Sequence, residues 1–230
     1  MVFLLRVLLP RLAEPIPRMA DSAWAWPLAG IPVGLLAWTL HAGAIALGLP
    51  PLCAALLALG GGLAITGGLH ADGLADCADG FWGGHERARR LEIMRDSRTG
   101  AYGVMALVIA LGLQASAIAE TAPRLWAFLG IAVASRAAMA ALAALPPARE
   151  DGLGRGAAGP GAGRIAAALA IGLLALLLGG AGIGDFAALA LSALALAAVA
   201  RAKIGGQTGD VLGAGQVLAE TALWLALAAR

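Results

Sequence analysis

Long runs of apolar residues, separated by short polar segments, dominate the pattern along this chain. Seven runs come close to the length of about 17 to 25 residues with which a helix crosses a bilayer. They are Leu28–Leu49, Leu52–Leu69, Tyr102–Ala119, Leu125–Leu145, Ile165–Ile183, Phe186–Ala202 and Val211–Ala229. The pattern therefore predicts an all-α, polytopic membrane protein: a helical bundle with about seven transmembrane helices.

The remaining segments complete one transmembrane domain over residues 1–230. Residues 1–23 mix arginines with prolines and are predicted to lie at the membrane interface. Residues 67–103 form the predicted active-site segment, and residues 203–220 hold a second motif and the start of the last helix. Residues 146–164 are a glycine-rich loop without a P-loop motif, which favours either a flexible cover over a substrate or a plain linker.

Composition and charge indicate that these segments belong to a membrane protein and on which side of the membrane the polar ones lie. The chain is 60% hydrophobic and only 13% charged, which excludes an ordinary soluble protein. With a cytoplasmic N-terminus, 13 of the 16 Lys and Arg residues fall on the cytoplasmic side of the seven predicted spans. The acidic segment and both other polar loops fall on that side too, so we expect the substrates to come from the cytoplasm.

Three aspartates carry the most specific chemical signal. Asp72, Asp76 and Asp79 follow the spacing i, i+4, i+7, so on a helix they lie within an arc of roughly 60°. Such carboxylates repel one another unless a cation lies among them, and all-oxygen ligands suit Mg²⁺ or Mn²⁺ shared with a phosphate. The alternative is a solvated polar face. The surrounding glycines favour the metal and phosphate site, because they let backbone approach a ligand closely.

Two further groups of residues in the same segment are candidates. Arg95 and Arg98 flank Asp96, and their guanidinium groups match phosphate oxygens, although both arginines could instead serve only as topology determinants. His70 falls away from the aspartate face of an ideal helix. It is a candidate general base or a hydrogen-bonded structural histidine.

The second motif echoes the first. Residues 205–212 (GGQTGDVL) repeat the GG-x-x-x-D-x-L spacing of residues 67–74 (GGLHADGL), which makes Asp210 the next candidate for metal or phosphate binding. Arg136 and Glu220 lie inside predicted spans. Because ionisable groups within a membrane are costly and usually paired, we expect these two to contact each other.

The motifs exclude some chemistry and favour another. The G-x-S-x-G and H-E-x-x-H motifs are absent, which argues against serine hydrolase and zinc protease activity. Carboxylates that hold magnesium beside arginines instead suit phosphoryl transfer, with one spare carboxylate accepting a proton from an attacking alcohol. The inferred reaction class is displacement of a nucleotide by a hydroxyl group.

The chain also resembles the cobalamin synthase family, the adenosylcobinamide-GDP ribazoletransferases. The resemblance rests on residues 67–80 (GGLHADGLADCADG) and 91–103 (LEIMRDSRTGAYG), with weaker blocks at residues 135–137, 152–154 and 205–214. Cys77 stands where the family pattern suggests threonine, and Ala71 stands where a larger aliphatic residue is usual. Neither difference removes an expected ligand.

The resemblance implies a function and a site. It implies that α-ribazole, or its 5′-phosphate, attacks adenosylcobinamide-GDP and releases GMP, in a magnesium-dependent enzyme of the bacterial inner membrane. Matching positions assign catalysis and metal binding to the three aspartates, with His70 also catalytic, and substrate binding to a set of residues: Arg95, Asp96, Arg98, Gly205, Gly206, Thr208 and Asp210. The expected partners are these substrates and the lipid bilayer, with no nucleic acid. A homo-oligomer is left open.

Two other functions are alternatives. A CDP-alcohol phosphotransferase performs analogous chemistry, but its pattern D-x-x-D-G-x-x-A-R fails at Gly83 and Gly84. A transporter would use the paired GG-x-x-x-D blocks as binding elements near broken helices. Transporter acids should lie near the middle of the bilayer, whereas the aspartates are predicted at its boundary.

Overall fold

The computed structural model describes residues 18–230. Most of the predicted interfacial segment, residues 1–17, lies outside the described residues. The described chain begins with a 3-10 helix, Met19–Ala29, that runs into the first α-helix. The α-helices are α1 (Gly30–Ala46), α2 (Pro51–Thr66), α3 (Leu69–Gly83), α4 (Arg87–Ile93), α5 (Ala101–Ala119), α6 (Leu125–Leu142), α7 (Gly152–Ala157), α8 (Ala162–Leu178), α9 (Ile183–Ile204) and α10 (Gly209–Ala228).

Each predicted span corresponds to a helix, with differences in length. Within residues 18–230, five helical segments are long and apolar enough to cross a membrane: Met19–Ala46, α5, α6, α9 and α10. The first of them starts nine residues before the predicted Leu28, because residues 19–29 are already helical and pack against α6 and α8. Helices α2 and α8 have only 16 and 17 residues. The polytopic helical class is confirmed, with five such spans, or six if α2 and α3 together form one.

A sharp bend between α2 and α3 sets the direction of the aspartate helix. Gly67 and Gly68 both have left-handed backbone angles, with φ of 64° and 71°, which residues other than glycine rarely adopt. The two helix axes consequently differ by 91°. At its other end α2 begins at Pro51, where a proline suits the first helical position. Helix α3 therefore turns away from the direction of α2.

Small residues allow the helices to pack closely around α6. Every residue from Gly130 to Ala140 is buried, including Arg136. A Cβ atom added to Gly34 would lie 2.8 Å from the carbonyl oxygen of Phe128, and one added to Gly130 would lie 2.7 Å from that of Ala175. Close backbone approach through glycine and alanine is typical of helix packing in membranes.

The three polar segments meet at one end of the bundle. Arg87 donates hydrogen bonds of 2.8 Å to the carbonyl oxygens of Ile204 and Ala148, so it joins α4, the end of α9 and the loop after α6. Gln207 bonds the same loop through its backbone, accepting from Ala148 at 2.8 Å and donating to Pro146 at 2.9 Å. The turns after α5 and α8 meet the other end of α10, where Arg230 lines a cleft with Glu120 and Thr121 and donates to the Gly180 carbonyl oxygen at 2.9 Å.

The glycine-rich segment is part of this packed end. It contains α7, and the carbonyl oxygen of Gly154 accepts a 2.8 Å hydrogen bond from the buried side chain of Gln207. A Cβ atom at Gly154 would lie 2.8 Å from the Cα of Thr208. The segment therefore docks on the second motif, and the interpretation as a plain linker is wrong.

Candidate active site

Helix α3 carries the three aspartates, as the spacing predicts, but places them in different surroundings. Asp72 is exposed, Asp76 is partly buried and Asp79 is only 7% exposed. Burial of the three aspartates increases along α3, because Asp79 packs against the start of α5 and the following Gly80 contacts α4. The three carboxylates are therefore not equivalent.

Asp79 binds the beginning of α5. Its carboxylate accepts hydrogen bonds from the backbone N–H groups of Gly100 at 2.7 Å and Gly103 at 2.9 Å. A Cβ atom at Gly100 would lie 2.5 Å from an Asp79 carboxylate oxygen, so glycine is needed there for the approach. Helix N-termini have unpaired N–H groups and a partial positive charge that a carboxylate neutralises. Asp79 thus fixes α5 against α3.

The second motif brings a fourth carboxylate to this place. Thr208 caps the N-terminus of α10, because its hydroxyl oxygen accepts from the Val211 N–H at 3.3 Å. The same hydroxyl donates to Asp210 at 3.1 Å. A Cβ atom at Gly73 would lie 2.7 Å from the Asp210 carbonyl oxygen, so α3 and α10 cross with their backbones close together. Asp210 therefore lies beside the aspartate helix.

The sequence echo has a structural counterpart. In each copy a long helix ends at a left-handed glycine, Gly67 with φ 64° or Gly205 with φ 79°, and a new helix then places an aspartate near its first turn. The two copies also pack against each other, since Gly213 of α10 lies over the backbone of His70. The site is therefore built from two similar helix junctions.

Arg149 is the cation at this cluster, and sequence reasoning missed it as a site residue. Its guanidinium lies 3.5 Å from the Asp210 carboxylate and donates to the Leu91 carbonyl oxygen at 3.0 Å. Within residues 18–230 it is the only basic side chain within 4.0 Å of any of the four aspartates. It lies in the loop after α6, outside any recognised motif. The sequence therefore indicated only that it is one of the arginines on the predicted cytoplasmic side.

Negative charge is concentrated around Asp76. This carboxylate interacts electrostatically with Asp72, Asp79 and Asp210, and with Arg149 as the opposing charge. One arginine does not balance four carboxylates. Such an arrangement is costly unless further positive charge is supplied.

The structure does not gather the three predicted metal ligands into one centre. Among the residues that are described, no three His, Cys, Asp or Glu side chains converge closely enough to hold a metal ion by themselves. Asp79 is turned to backbone N–H groups, whereas Asp72 faces outward. Mg²⁺ commonly takes only one or two carboxylates and completes its shell with phosphate oxygens and water. The carboxylate oxygens of Asp72 and Asp210, which interact electrostatically, fit that kind of shared ion.

The predicted phosphate-binding arginines pair with acidic residues of nearby loops. Arg98 donates to both carboxylate oxygens of Asp96, at 3.0 and 2.6 Å, and these bonds lower the pKa of Asp96 to about 2. Arg95 binds Asp151. The side chains of Arg95 and Arg98 are 55% and 87% exposed. Their role in phosphate binding stays a prediction, while Arg149 is the arginine that contacts the acidic cluster.

His70 lies on a different face of α3 from Asp72. It is 4% exposed, and its Nε2 atom has no hydrogen-bond partner in the described part of the chain. The imidazole lines a cavity of about 60 Å³ inside the bundle, together with Arg136, Gln216 and Glu220. It therefore does not join the carboxylates, and its predicted catalytic role gains no support from this position.

The predicted direct contact between Arg136 and Glu220 is wrong. Arg136 donates to the Ala132 carbonyl oxygen at 2.8 Å, and Glu220 accepts from Gln216. Within residues 18–230 no ion pair shorter than 4.0 Å joins the two charges. They face the same cavity and interact across it.

These features define a polytopic helical membrane protein with an acidic, phosphate-compatible site at one end of its bundle. Residues 1–228 match the sequence profile of the cobalamin-5-phosphate synthase family. The chain belongs to this family. The membership favours the resemblance seen in the motifs over the CDP-alcohol phosphotransferase and transporter alternatives.

Curated relatives agree with the family match. A protein of Bradyrhizobium diazoefficiens is 45% identical over 218 residues, which cover 92% of this chain and 84% of the relative. One of Azorhizobium caulinodans is 48% identical over 220 residues, covering 90% and 83%. One of Mesorhizobium japonicum is 43% identical over 231 residues, covering 98% and 89%. All three are named adenosylcobinamide-GDP ribazoletransferase. No solved structure matches this chain significantly.

Proposed function

We propose that this chain is an adenosylcobinamide-GDP ribazoletransferase. It joins adenosylcobinamide-GDP to α-ribazole, or to α-ribazole 5′-phosphate, and releases GMP with adenosylcobalamin or its 5′-phosphate. The observation that carries the proposal is the meeting of Asp72 and Asp76 with Asp210 and Arg149 at the crossing of α3 and α10. In the family context, this charge pattern suits a diphosphate bound together with a cation.

The chemical step is a displacement at phosphorus. A hydroxyl oxygen of the ribazole forms a bond to the phosphorus nearest cobinamide, and the bond from that phosphorus to the GMP oxygen breaks. We assign acceptance of the hydroxyl proton to Asp76, because it is partly buried among the other carboxylates. Arg149 binds a phosphate oxygen and takes up part of the charge that develops on the leaving group.

Asp72 and Asp210 would hold Mg²⁺, or Mn²⁺ in its place, jointly with the phosphate oxygens of the substrate. When bound, such an ion neutralises phosphate charge and stabilises the leaving phosphate. Asp79 has a different task in this scheme. It holds α5 by two backbone N–H groups and so keeps α3 in position.

The proposal places the protein in the inner membrane of a bacterium, with the acidic end of the bundle facing the cytoplasm. With α2 and α8 counted as crossings beside the five longer helices, as in the seven predicted spans, 13 of the 16 basic residues lie on the cytoplasmic side and support this orientation. The nucleotide substrate would then be reached from the compartment in which nucleotides are made.

The test is product formation by the purified protein. Protein in detergent is supplied with adenosylcobinamide-GDP, α-ribazole and Mg²⁺, and GMP and the corrinoid product are quantified by chromatography. Asp72→Asn and Asp210→Asn should each lower turnover at least a hundredfold. The matched control is Asp21→Asn, which changes a partly exposed aspartate paired with Arg164 at 3.1 Å, remote in sequence from the site motifs. GMP formation that needs no ribazole, or full activity in both site variants, would overturn the proposal.

A further inference from the structure

A cleft adjoins the acidic cluster on the side of α4. It has a volume of about 440 Å³, within the range of small-molecule sites, and it runs between α4 and the loop at residues 148–151. Six of its lining residues are relevant here: Leu91, Glu92, Arg95, Arg149, Glu150 and Asp151. The cleft thus carries both signs of charge on a lining that also includes apolar side chains.

Most of these charges already have partners. Arg95 pairs with Asp151, and Glu92 pairs with Arg89 at 2.7 Å. Glu150 forms no ion pair shorter than 4.0 Å with any residue between 18 and 230. The cleft therefore offers one carboxylate that is not engaged in a salt bridge.

Arg149 connects the cleft with the acidic cluster. It lines the cleft, and it also lies 3.5 Å from Asp210, which is longer than a good charge-assisted hydrogen bond. Its Nε atom is buried and has no hydrogen-bond partner in the described structure. The guanidinium is held in place by the Leu91 carbonyl oxygen, at 3.0 Å, and retains donors for a phosphate group.

Guanine has the donor pattern that a free carboxylate recognises. Its N1–H and 2-amino groups lie side by side and both donate, whereas adenine presents an acceptor nitrogen at the same position. An ionised carboxylate only accepts hydrogen bonds, so it favours guanine and repels the adenine edge. A guanine nucleotide with its phosphate near Arg149 and its base near Glu150 would match the two side chains of the cleft that can still bind a ligand.

We propose that this cleft binds the guanosine monophosphate part of the nucleotide substrate, with Arg149 on the phosphate and Glu150 on the guanine edge. The inference rests on the proposed function, since it specifies where the leaving nucleotide of that reaction lies. It places the bond that breaks at the boundary between the cleft and the carboxylates of α3 and α10.

The test is direct binding of labelled GMP to the purified protein in detergent, with Mg²⁺ present and with AMP as competitor. Glu150→Gln should weaken GMP binding about tenfold, because the amide keeps only one of the two acceptors that face the guanine edge, and AMP should bind at least as tightly as to the wild type, because the acceptor nitrogen of adenine is no longer repelled. Glu92→Gln is the matched control, since it makes the same change in the same cleft at a carboxylate already paired with Arg89. It should stay within twofold of the wild type. Arg149→Lys should weaken GMP and AMP alike.

The outcomes separate this proposal from the proposed function. If the wild type releases GMP in turnover but Glu150→Gln binds GMP as the wild type does, the cleft assignment is overturned and the function stands. Equal affinity of the wild type for GMP and AMP overturns it as well. If the wild type forms no GMP from its substrates, the function fails, and the binding measurement still decides whether the cleft selects guanine.

Discussion

Gly73 of α3 lies directly against the backbone of Asp210 in α10. A Cβ atom at position 73 would be 2.7 Å from the Asp210 carbonyl oxygen and 3.1 Å from its Cα. These distances leave no room for a methyl group, so the two helices can cross here only through glycine. The crossing brings together carboxylates that are 138 positions apart in the chain, Asp72 and Asp210.

We predict that Gly73→Ala separates the two halves of the site. Overpacking of this kind costs about 1 to 3 kcal/mol of stability, and a small shift between catalytic groups has a much larger effect on turnover. Turnover should fall at least tenfold, while thermal unfolding in detergent shows a moderate decrease in Tm. Gly60→Ala is the control, because a Cβ atom there meets nothing within 4 Å. Equal activity of the two variants would contradict this account of the crossing.

Asp79 should behave as a structural group rather than as a metal ligand. Asp79→Asn leaves one of the two N–H groups, at Gly100 or Gly103, without its acceptor, which costs about 1 to 3 kcal/mol. For a chain of this size, that corresponds to a decrease in Tm of about 2 to 12 °C. The Mg²⁺ concentration for half-maximal activity should stay near the wild-type value. A large increase in that concentration, with unchanged Tm, would instead identify Asp79 as a ligand.

Among the arginines, Arg149 should matter more than Arg98. Arg149→Lys keeps the charge but loses the planar fork that binds phosphate, and we expect kcat/KM to fall about a hundredfold. Arg98→Lys should lower it less than fivefold, since Arg98 is 87% exposed and pairs with Asp96. With the pKa of Asp96 at about 2, that pair stays charged at any ordinary assay pH. Steady-state kinetics of both variants at one pH makes the comparison, and the reverse order would restore the sequence-based assignment.

The buried charges at the internal cavity should be coupled although they do not touch. Arg136 is 1% exposed, and Arg136→Met would leave the Glu220 charge without its opposing charge. The double variant Arg136→Met with Glu220→Gln removes both charges. Its Tm should therefore lie above that of Arg136→Met alone. A double variant that is less stable than the single one would indicate that the two groups act independently.

Much of this arrangement could be predicted from the sequence because it is local. Apolar runs indicated the helices, the i, i+4, i+7 spacing placed the aspartates on one helix, and the repeated GG-x-x-x-D motif pointed to Asp210. Each of these signals depends on residues close together in the chain. Such local features do not depend on how the helices pack against one another.

The parts that could not be predicted depend on long-range packing. Asp79 lies on the predicted helix, but its carboxylate binds the backbone N–H groups of Gly100 and Gly103, which are more than 20 residues away in the chain. Arg149 has no informative neighbours in sequence and reaches Asp210 only because the loop after α6 packs on the second motif. Arg136 and Glu220 were expected to form a pair, because single charges are costly within a membrane. Instead, both side chains line a cavity between the helices and do not touch.

The central claim is that the carboxylates at the crossing of α3 and α10 seat a divalent cation that activates a diphosphate. GMP release as a function of free Mg²⁺, measured for the wild type and for Asp210→Asn, tests it most directly. We expect wild-type release to stop in excess chelator and to return with added Mg²⁺, and we expect the variant to need at least tenfold more Mg²⁺ for its remaining activity. Wild-type turnover that continues in excess chelator would contradict the claim.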